Sequence, residues 1–371
     1  MNRLISSSIL VAFSAAALVV NAQAPATSNS LNDCFGEKRA IKIDRNMPYI
    51  LVKLGDAEGE FVVDFASNVT SIDPAGFKQG IKPVPNNGNS ISYEFSYYFD
   101  RFDFFGRTGA VKLIARKTTV NNTDLQQAGI LGTDFFMEFV FTLDYVNKFL
   151  YKSKKEAFCT DEALMKAGFK PVSTDGYYAD NFSRLKDPAT TINVPTVPVK
   201  IGGITAIAQL DPAYDDSVYP HTVNVNLAFF NAIKSAGIPL IEVKNINLTM
   251  CNGSSDKGTA YRLGPGYDFE VIGVDGKPAS VEHNAFIFVK DGTTSQGCSG
   301  IGTWPNAAAQ IGASFLIGYK QIVFDPFSSR VWFAGSTEPK QQNQQYPISE
   351  QQLKNQQLDT PRQQKKMQRN L

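Results

Sequence analysis

Val52-Lys53-Leu54-Gly55-Asp56-Ala57-Glu58-Gly59-Glu60-Phe61-Val62-Val63-Asp64 and Val199-Lys200-Ile201-Gly202-Gly203-Ile204-Thr205-Ala206-Ile207-Ala208-Gln209-Leu210-Asp211 are two versions of one pattern. Each begins with a short apolar run and breaks at glycine. Each then resumes as a second strand-like run and ends on aspartate, 12 residues after its first valine. Short apolar runs divided by Gly, Asn and Pro read as strands and turns. A duplicated half that delivers one carboxylate each time predicts a shared two-carboxylate site. Two carboxylates forced close resist double ionisation, so they can hold one proton between them and activate a water. Taken singly, an Asp after a strand more often caps local N–H groups in a turn. The matched spacing is what favours paired placement here.

The repeat also closes each half. Gly129-Ile130-Leu131-Gly132-Thr133-Asp134-Phe135-Phe136 is followed by Phe141-Thr142-Leu143-Asp144-Tyr145 and Lys148-Phe149-Leu150-Tyr151. Gln310-Ile311-Gly312-Ala313-Ser314-Phe315-Leu316 is followed by Ile322-Val323-Phe324-Asp325-Pro326 and Arg330-Val331-Trp332-Phe333. Both read as an apolar pair, a glycine, one helical turn, a strand, an Asp turn and a strand. Two copies at this spacing indicate a duplicated domain rather than a solenoid.

These residues together resemble the aspartic peptidase family in its two-lobed, pepsin-like form, over about residues 40–335. The closing segment of the first half is also similar to that of the shorter, retroviral-type peptidases. The resemblance implies an all-β, two-lobed acid-protease-like β-barrel fold with an internal pseudo-twofold repeat. It implies Asp64 and Asp211 as the catalytic pair and a peptide or protein bound in the cleft between lobes. It also implies a hairpin flap over the cleft, for which the alternating aromatic stretch Ser90–Phe105 is the candidate. Tyr93 is the first choice for its substrate-facing tyrosine and Tyr97 the alternative; these aromatics read equally well as packing for the lobe.

The two Asp loops depart from the family's Asp-Thr-Gly, reading Asp64-Phe65-Ala66 and Asp211-Pro212-Ala213. In the family each Thr hydroxyl accepts a backbone hydrogen bond from the opposite loop. Phe65 and Pro212 carry no hydroxyl, and Pro212 lacks an N–H as well. Asn68 and Asp215 stand where hydroxyl residues often support the aspartates, and Ser71 and Ser217 are the candidates to supply that support instead. The departures keep two functions in view. One is an aspartic endopeptidase using an activated water. The other is a catalytically inactive protein that binds a peptide, glycan or partner protein in the same cleft, since function resides in sites rather than folds.

The remaining features set the context. The chain has 371 residues, 43% of them hydrophobic, enough for two sizeable cores. Its formal net charge of +1 gives no reason to expect nucleic acid. The two histidines, His221 and His283, form no His-x-x-x-His or His/Cys cluster, so neither a metal nor a cofactor is expected. Residues 1–22 read as a signal peptide, with Arg3 ahead of an apolar run and Val20-Asn21-Ala22 as the cleavage site. As a retained single-span anchor the run is short.

Export, to the periplasm or as a secreted protein, makes disulfides plausible. Four cysteines allow three pairings. The lobe-wise pairing is Cys34 with Cys159 and Cys251 with Cys298, each closing one half on itself. The organisation read from the chain is an N-terminal lobe over 34–160, a connector over 161–196 and a C-terminal lobe over 197–336. Helices are predicted over Asp161–Gly168 and Leu227–Ala236. Eleven glutamines after Ser336 mark 337–371 as a disordered, Gln-rich tail. No stable membrane span is expected, and the expected state is a monomer.

Overall fold

The computed structural model describes residues 31–81, 96–105, 107–115, 125–180, 193–214, 219–249, 255–283, 285–290 and 300–336. The stretch read as a signal peptide, Tyr93, Asp215, Ser217, Cys251 and Cys298 with their expected pairing, and the stretch read as a Gln-rich tail lie outside the described residues.

The quoted repeat folds as two strand–turn–strand units. In the first half, β1 (Glu37–Ala40) and β2 (Lys42–Asp44) lead into β3 (Met47–Leu54) and β4 (Ala57–Val63). Along β3, Val52 and Leu54 point inward and Leu51 and Lys53 outward, the two-residue period of a strand with one buried face. Gly55 makes the turn into β4 at φ 61°, a left-handed conformation that glycine adopts without steric cost. There follow β5 (Ser71–Ile72), β6 (Ser96–Phe104), β7 (Arg107–Ala115), β8 (Gln127–Leu131), β9 (Val140–Asp144) and β10 (Phe149–Ser153). After β11 (Phe169–Ser173), the second half runs β12 (Thr196–Ile201), β13 (Ile204–Leu210), β14 (Thr222–Asn226), β15 (Leu240–Thr249) and β16 (Ser255–Leu263). It ends with β17 (Phe269–Ile272), β18 (Pro278–Glu282), β19 (Phe286–Lys290), β20 (Ala308–Ile311), β21 (Tyr319–Asp325) and β22 (Arg330–Ser336). Among the described residues five short α-helices punctuate the strands: α1 (Leu31–Cys34), α2 (Thr133–Phe136), α3 (Asp161–Lys166), α4 (Leu227–Ser235) and α5 (Ala313–Leu316).

The chain is all-β in class. Among the described residues its strands form three sheets, ordered β2-β3-β4-β8-β5-β7-β6, β15-β16-β19-β14-β20-β13-β12-β17-β18 and β1-β10-β9-β21-β22-β11. None is a full barrel; the first comes nearest, β6 curling back to pair with β3 at Lys53–Asp103 and Leu54–Phe102. The same pairings recur in the two halves. β3 with β4 and β12 with β13 are antiparallel. β4 with β8 and β13 with β20 are parallel. β5 with β8 and β14 with β20 are antiparallel again.

The third sheet is common property. Its centre is β9 of the first half against β21 of the second, with Leu143 opposite Ile322 and Phe141 opposite Phe324. The stretch read as a connector supplies β11, which joins this sheet beside β22. One apolar cluster passes through both halves and includes Phe65, Phe136, Leu143, Tyr177, Ile322 and Phe324. Beneath the shared sheet a second cluster gathers Phe35, Leu164, Phe169 and Trp332 around Cys159. Cys34 and Cys159 form the expected disulfide there, their Cα atoms 5.0 Å apart. Both predicted helices are present, α3 capped by the Thr160 hydroxyl and α4 by the Asn226 side chain.

Candidate functional site

Asp64 follows β4 directly, and Asp211 follows β13. The parallel neighbour strand fixes each: the Asp64 amide donates to the Leu131 carbonyl at 3.0 Å, and the Asp211 amide to the Ile311 carbonyl at 2.9 Å. Two residues on, the amides of Ala66 and Ala213 donate to the carboxylates of Asp64 and Asp211, at 2.7 and 3.1 Å. One residue further, the carbonyls of Ser67 and Tyr214 accept from the first amides of α2 and α5, Thr133 at 2.8 Å and Ala313 at 3.1 Å. The two loops thus have the same backbone frame without the Thr and Gly of the family motif. Gly132, at the start of the first helical turn, is packed so closely that a Cβ there would lie 2.7 Å from the Ser67 carbonyl oxygen. Both aspartates are only 9% exposed.

Where the family has threonine, Phe65 turns into the core. It is fully buried and stacks flat against Phe324 of β21, with Phe136 and Tyr177 on its other sides. The connection between loops is made elsewhere, by Gln209, whose Nε2 donates to the Ala66 carbonyl at 3.0 Å. Apolar packing reinforces it: Met47, Tyr49 and Val62 of the first half gather with Ala213 and Ala313 of the second.

The surroundings of the two carboxylates differ. Beside Asp211, Gln310 of β20 donates from Nε2 to Oδ2, and the Gln310 Oε1 accepts from Lys290 Nζ at the end of β19. The Lys290 ammonium also sits 4.2 Å from the centre of the Tyr214 ring. Burial pushes the Asp211 carboxyl up to about 6, against the opposing pull of Lys290 and the hydrogen bonds from Gln310, Ala213 and Tyr214. In the first half the matching positions are apolar. Register places Val62 opposite Ile130, as Gln209 is opposite Gln310.

Of the other expected site residues, Ser71 and Tyr97 lie within the described residues. Ser71 does not supply hydroxyl support: its Oγ is buried with no hydrogen-bond partner among the described residues. The neighbouring Thr70 hydroxyl accepts from the Gly132 amide at 2.9 Å and donates to Asp134 Oδ1 at 2.6 Å. Burial raises the Asp134 carboxyl, and its bonds to Thr70 oppose that rise. Tyr97 lies in β6 opposite Leu113, while Phe102, Phe104 and Phe105 at the far end of that hairpin are core residues. Thr70, Asp134, Gln209, Gln310 and Lys290 were not anticipated. Gln209 and Gln310 did leave a signal, as polar residues two places before Asp211 and Gly312 in otherwise apolar strand ends.

Among the described residues no group of three or more His, Cys, Asp or Glu could hold a metal ion, and no helix is long and apolar enough to cross a membrane. The geometry offers two buried carboxylates at matching strand ends, one of them joined through an amide to a cation. Scanning the chain against protein-family models finds no matching family, and searching curated proteins finds no match.

Proposed function

We propose that the chain is an exported aspartic-type endopeptidase, acting as a monomer in the periplasm or outside the cell. Its two lobes would be related by a pseudo-twofold repeat. The observation that carries this reading is the shared frame of Asp64 and Asp211, two buried carboxylates on loops joined through Gln209 and Ala66. In this reading the ionised aspartate takes a proton from water as the water oxygen attacks a peptide carbonyl carbon. The protonated aspartate gives its proton to the carbonyl oxygen. Proton return to the amide nitrogen then lets the C–N bond break. An Asp211 carboxyl near pH 6 suits a pair that shares one proton in mildly acidic solution. The peptide would lie between the lobes beneath the segment carrying Tyr93 and Tyr97.

The test is incubation of the purified chain with a diverse peptide pool from acid to neutral pH, beside Asp64→Asn and Asp211→Asn. Cleavage that falls at least a hundredfold in both variants is expected. Absence of cleavage, or cleavage unchanged in the variants, overturns the reading.

A second reading is favoured by Phe65. Its packing into the core replaces the hydroxyl that helps align the pair in the family, and Pro212 offers none either. On this reading the chain is an inactive scaffold that binds a peptide, glycan or partner protein in the cleft. Retained peptide binding without cleavage would support it.

A further inference from the structure

We propose that Lys290 and Gln310 condense into an intramolecular isopeptide bond, a covalent tie between β19 and β20 that releases ammonia. Each part of the Gln310 carboxamide meets a group suited to that step. The Lys290 amine lies 2.5 Å from Oε1. A carbonyl bond is about 1.2 Å long, so Nζ stands at most about 3.7 Å from the Cδ it would attack. That is close to the separation of a pair of atoms poised to react. Asn224 Nδ2 donates to the same Oε1 at 3.4 Å, where negative charge gathers as the carbonyl opens. Nε2, the leaving nitrogen, donates to Asp211 Oδ2.

Strand register brings these groups together. β14 lies between β19 and β20, with Asn226 opposite Lys290 and Asn224 opposite Gln310. Alternate residues of a strand share a face, so Lys290, Asn224 and Gln310 stand on one side of three neighbouring strands. Water is largely kept out: Asn224 is fully buried and Gln310 is 6% exposed, while Lys290 is half-buried. Burial raises the Asp211 carboxyl to about 6, so its acid form is accessible close to neutral pH. In the first half Ile130 stands at the register position of Gln310 and offers no amide.

The step balances without an oxidant. Lys290 attacks as the neutral amine, its ammonium proton having passed to solvent. As the Nζ–Cδ bond forms, the carbonyl π pair moves onto Oε1. Asp211 gives a proton to Nε2 and recovers the one that Nζ sheds. The carbonyl re-forms, the Cδ–Nε2 bond breaks, and the departing ammonia takes up the proton first lost. Asp211 ends unchanged, so the tie is compatible with either reading of the function.

The test is mass spectrometry of the full chain, reduced and alkylated, both fresh and after prolonged incubation. Lys290→Arg and Asp211→Asn are run beside the wild type, with circular dichroism confirming that each is folded. Trypsin does not cut after an acylated lysine. Trypsin with an endoproteinase that cuts before aspartate should therefore release residues 275–290 and 291–320 as one branched peptide, one ammonia lighter than the two together. A chain beginning at Gln23 would lose the same mass by cyclising, so fragment spectra must place the branch on Lys290 and Gln310. Lys290→Arg should give no branched peptide, and in Asp211→Asn it should accumulate about a hundredfold more slowly. Recovery of 275–290 and 291–320 only as separate peptides from the folded wild type overturns the proposal. A bond that forms as fast in Asp211→Asn overturns it as written. If Asp211→Asn does not fold, the wild type and Lys290→Arg decide. Cleavage of added peptides, present or absent, bears only on the peptidase reading.

Discussion

Phe65 shows how one residue can preserve a loop while changing what holds it. Truncation to alanine would remove a ring packed against Phe324, Phe136 and Tyr177 in a fully buried position. Phe65→Ala is expected to cost about 3–5 kcal/mol of unfolding free energy, measured by urea titration. Asp211 carries a pH-dependent penalty of the opposite kind. Its folded carboxyl, near 6, lies above the ordinary 3.8, so protonation favours the folded state. That contribution is full below pH 3.8 and is lost as pH rises through about 6. Asp211→Asn should therefore gain stability relative to the wild type between pH 3.5 and 7.5, by on the order of 3 kcal/mol. Equal differences at both pH values would show that burial does not penalise the charge. The matching places of Asp64 and Asp211, each directly after a strand, were legible because the repeat marked them. Phe65 was legible only as a missing hydroxyl, since sequence does not reveal which way a loop side chain turns.

At the scale of elements, the loops depend on neighbours distant in sequence. Gln209 reaches Ala66 across 143 residues, and Gln310 reaches Asp211 across 99. Gln209→Ala removes a bond to a carbonyl between the loops, and about 1 kcal/mol of stability should go with it. Peptide cleavage, if present, should fall by more than that stability loss explains, because the two carboxylates lose relative position. Strand existence was readable from short apolar runs, and α3 and α4 from their caps and stops. The pairing of β9 with β21 was not, because closing hairpins of similar composition give no local signal of their partner. For the same reason β11 was read as part of a connector. The disulfide belongs to this scale too. Cys34 and Cys159 close a loop of 125 residues and anchor α1 to the start of α3. Cys34→Ser with Cys159→Ser should cost about 2–5 kcal/mol, read from the denaturant midpoint under non-reducing conditions.

For the whole molecule the shared sheet has the largest consequence. β9 and β10 of the first half continue into β21 and β22 of the second, and β11 closes the far edge. Across the join, the Gln321 amide donates to the buried Asp144 carboxylate at 2.7 Å, and the Tyr145 amide to the Lys320 carbonyl at 3.1 Å. Either half alone would expose the edge of a central strand and the face of Phe141, Leu143, Ile322 or Phe324. Exposed backbone donors and apolar area of that kind are costly in water. The halves should therefore unfold together although the sequence repeats. Calorimetry of the chain with its disulfide intact is expected to give one transition, with van't Hoff and calorimetric enthalpies equal. Asp144→Ala, which leaves Gln321 without that acceptor, should lower the temperature of this transition without splitting it. Two resolved transitions in the wild type would mean that the interlobe pairing is weaker than the cores it joins. The position of Asp64 relative to Asp211 would then be set by the two loops, the Gln209 bond and the apolar packing around Ala213 and Ala313.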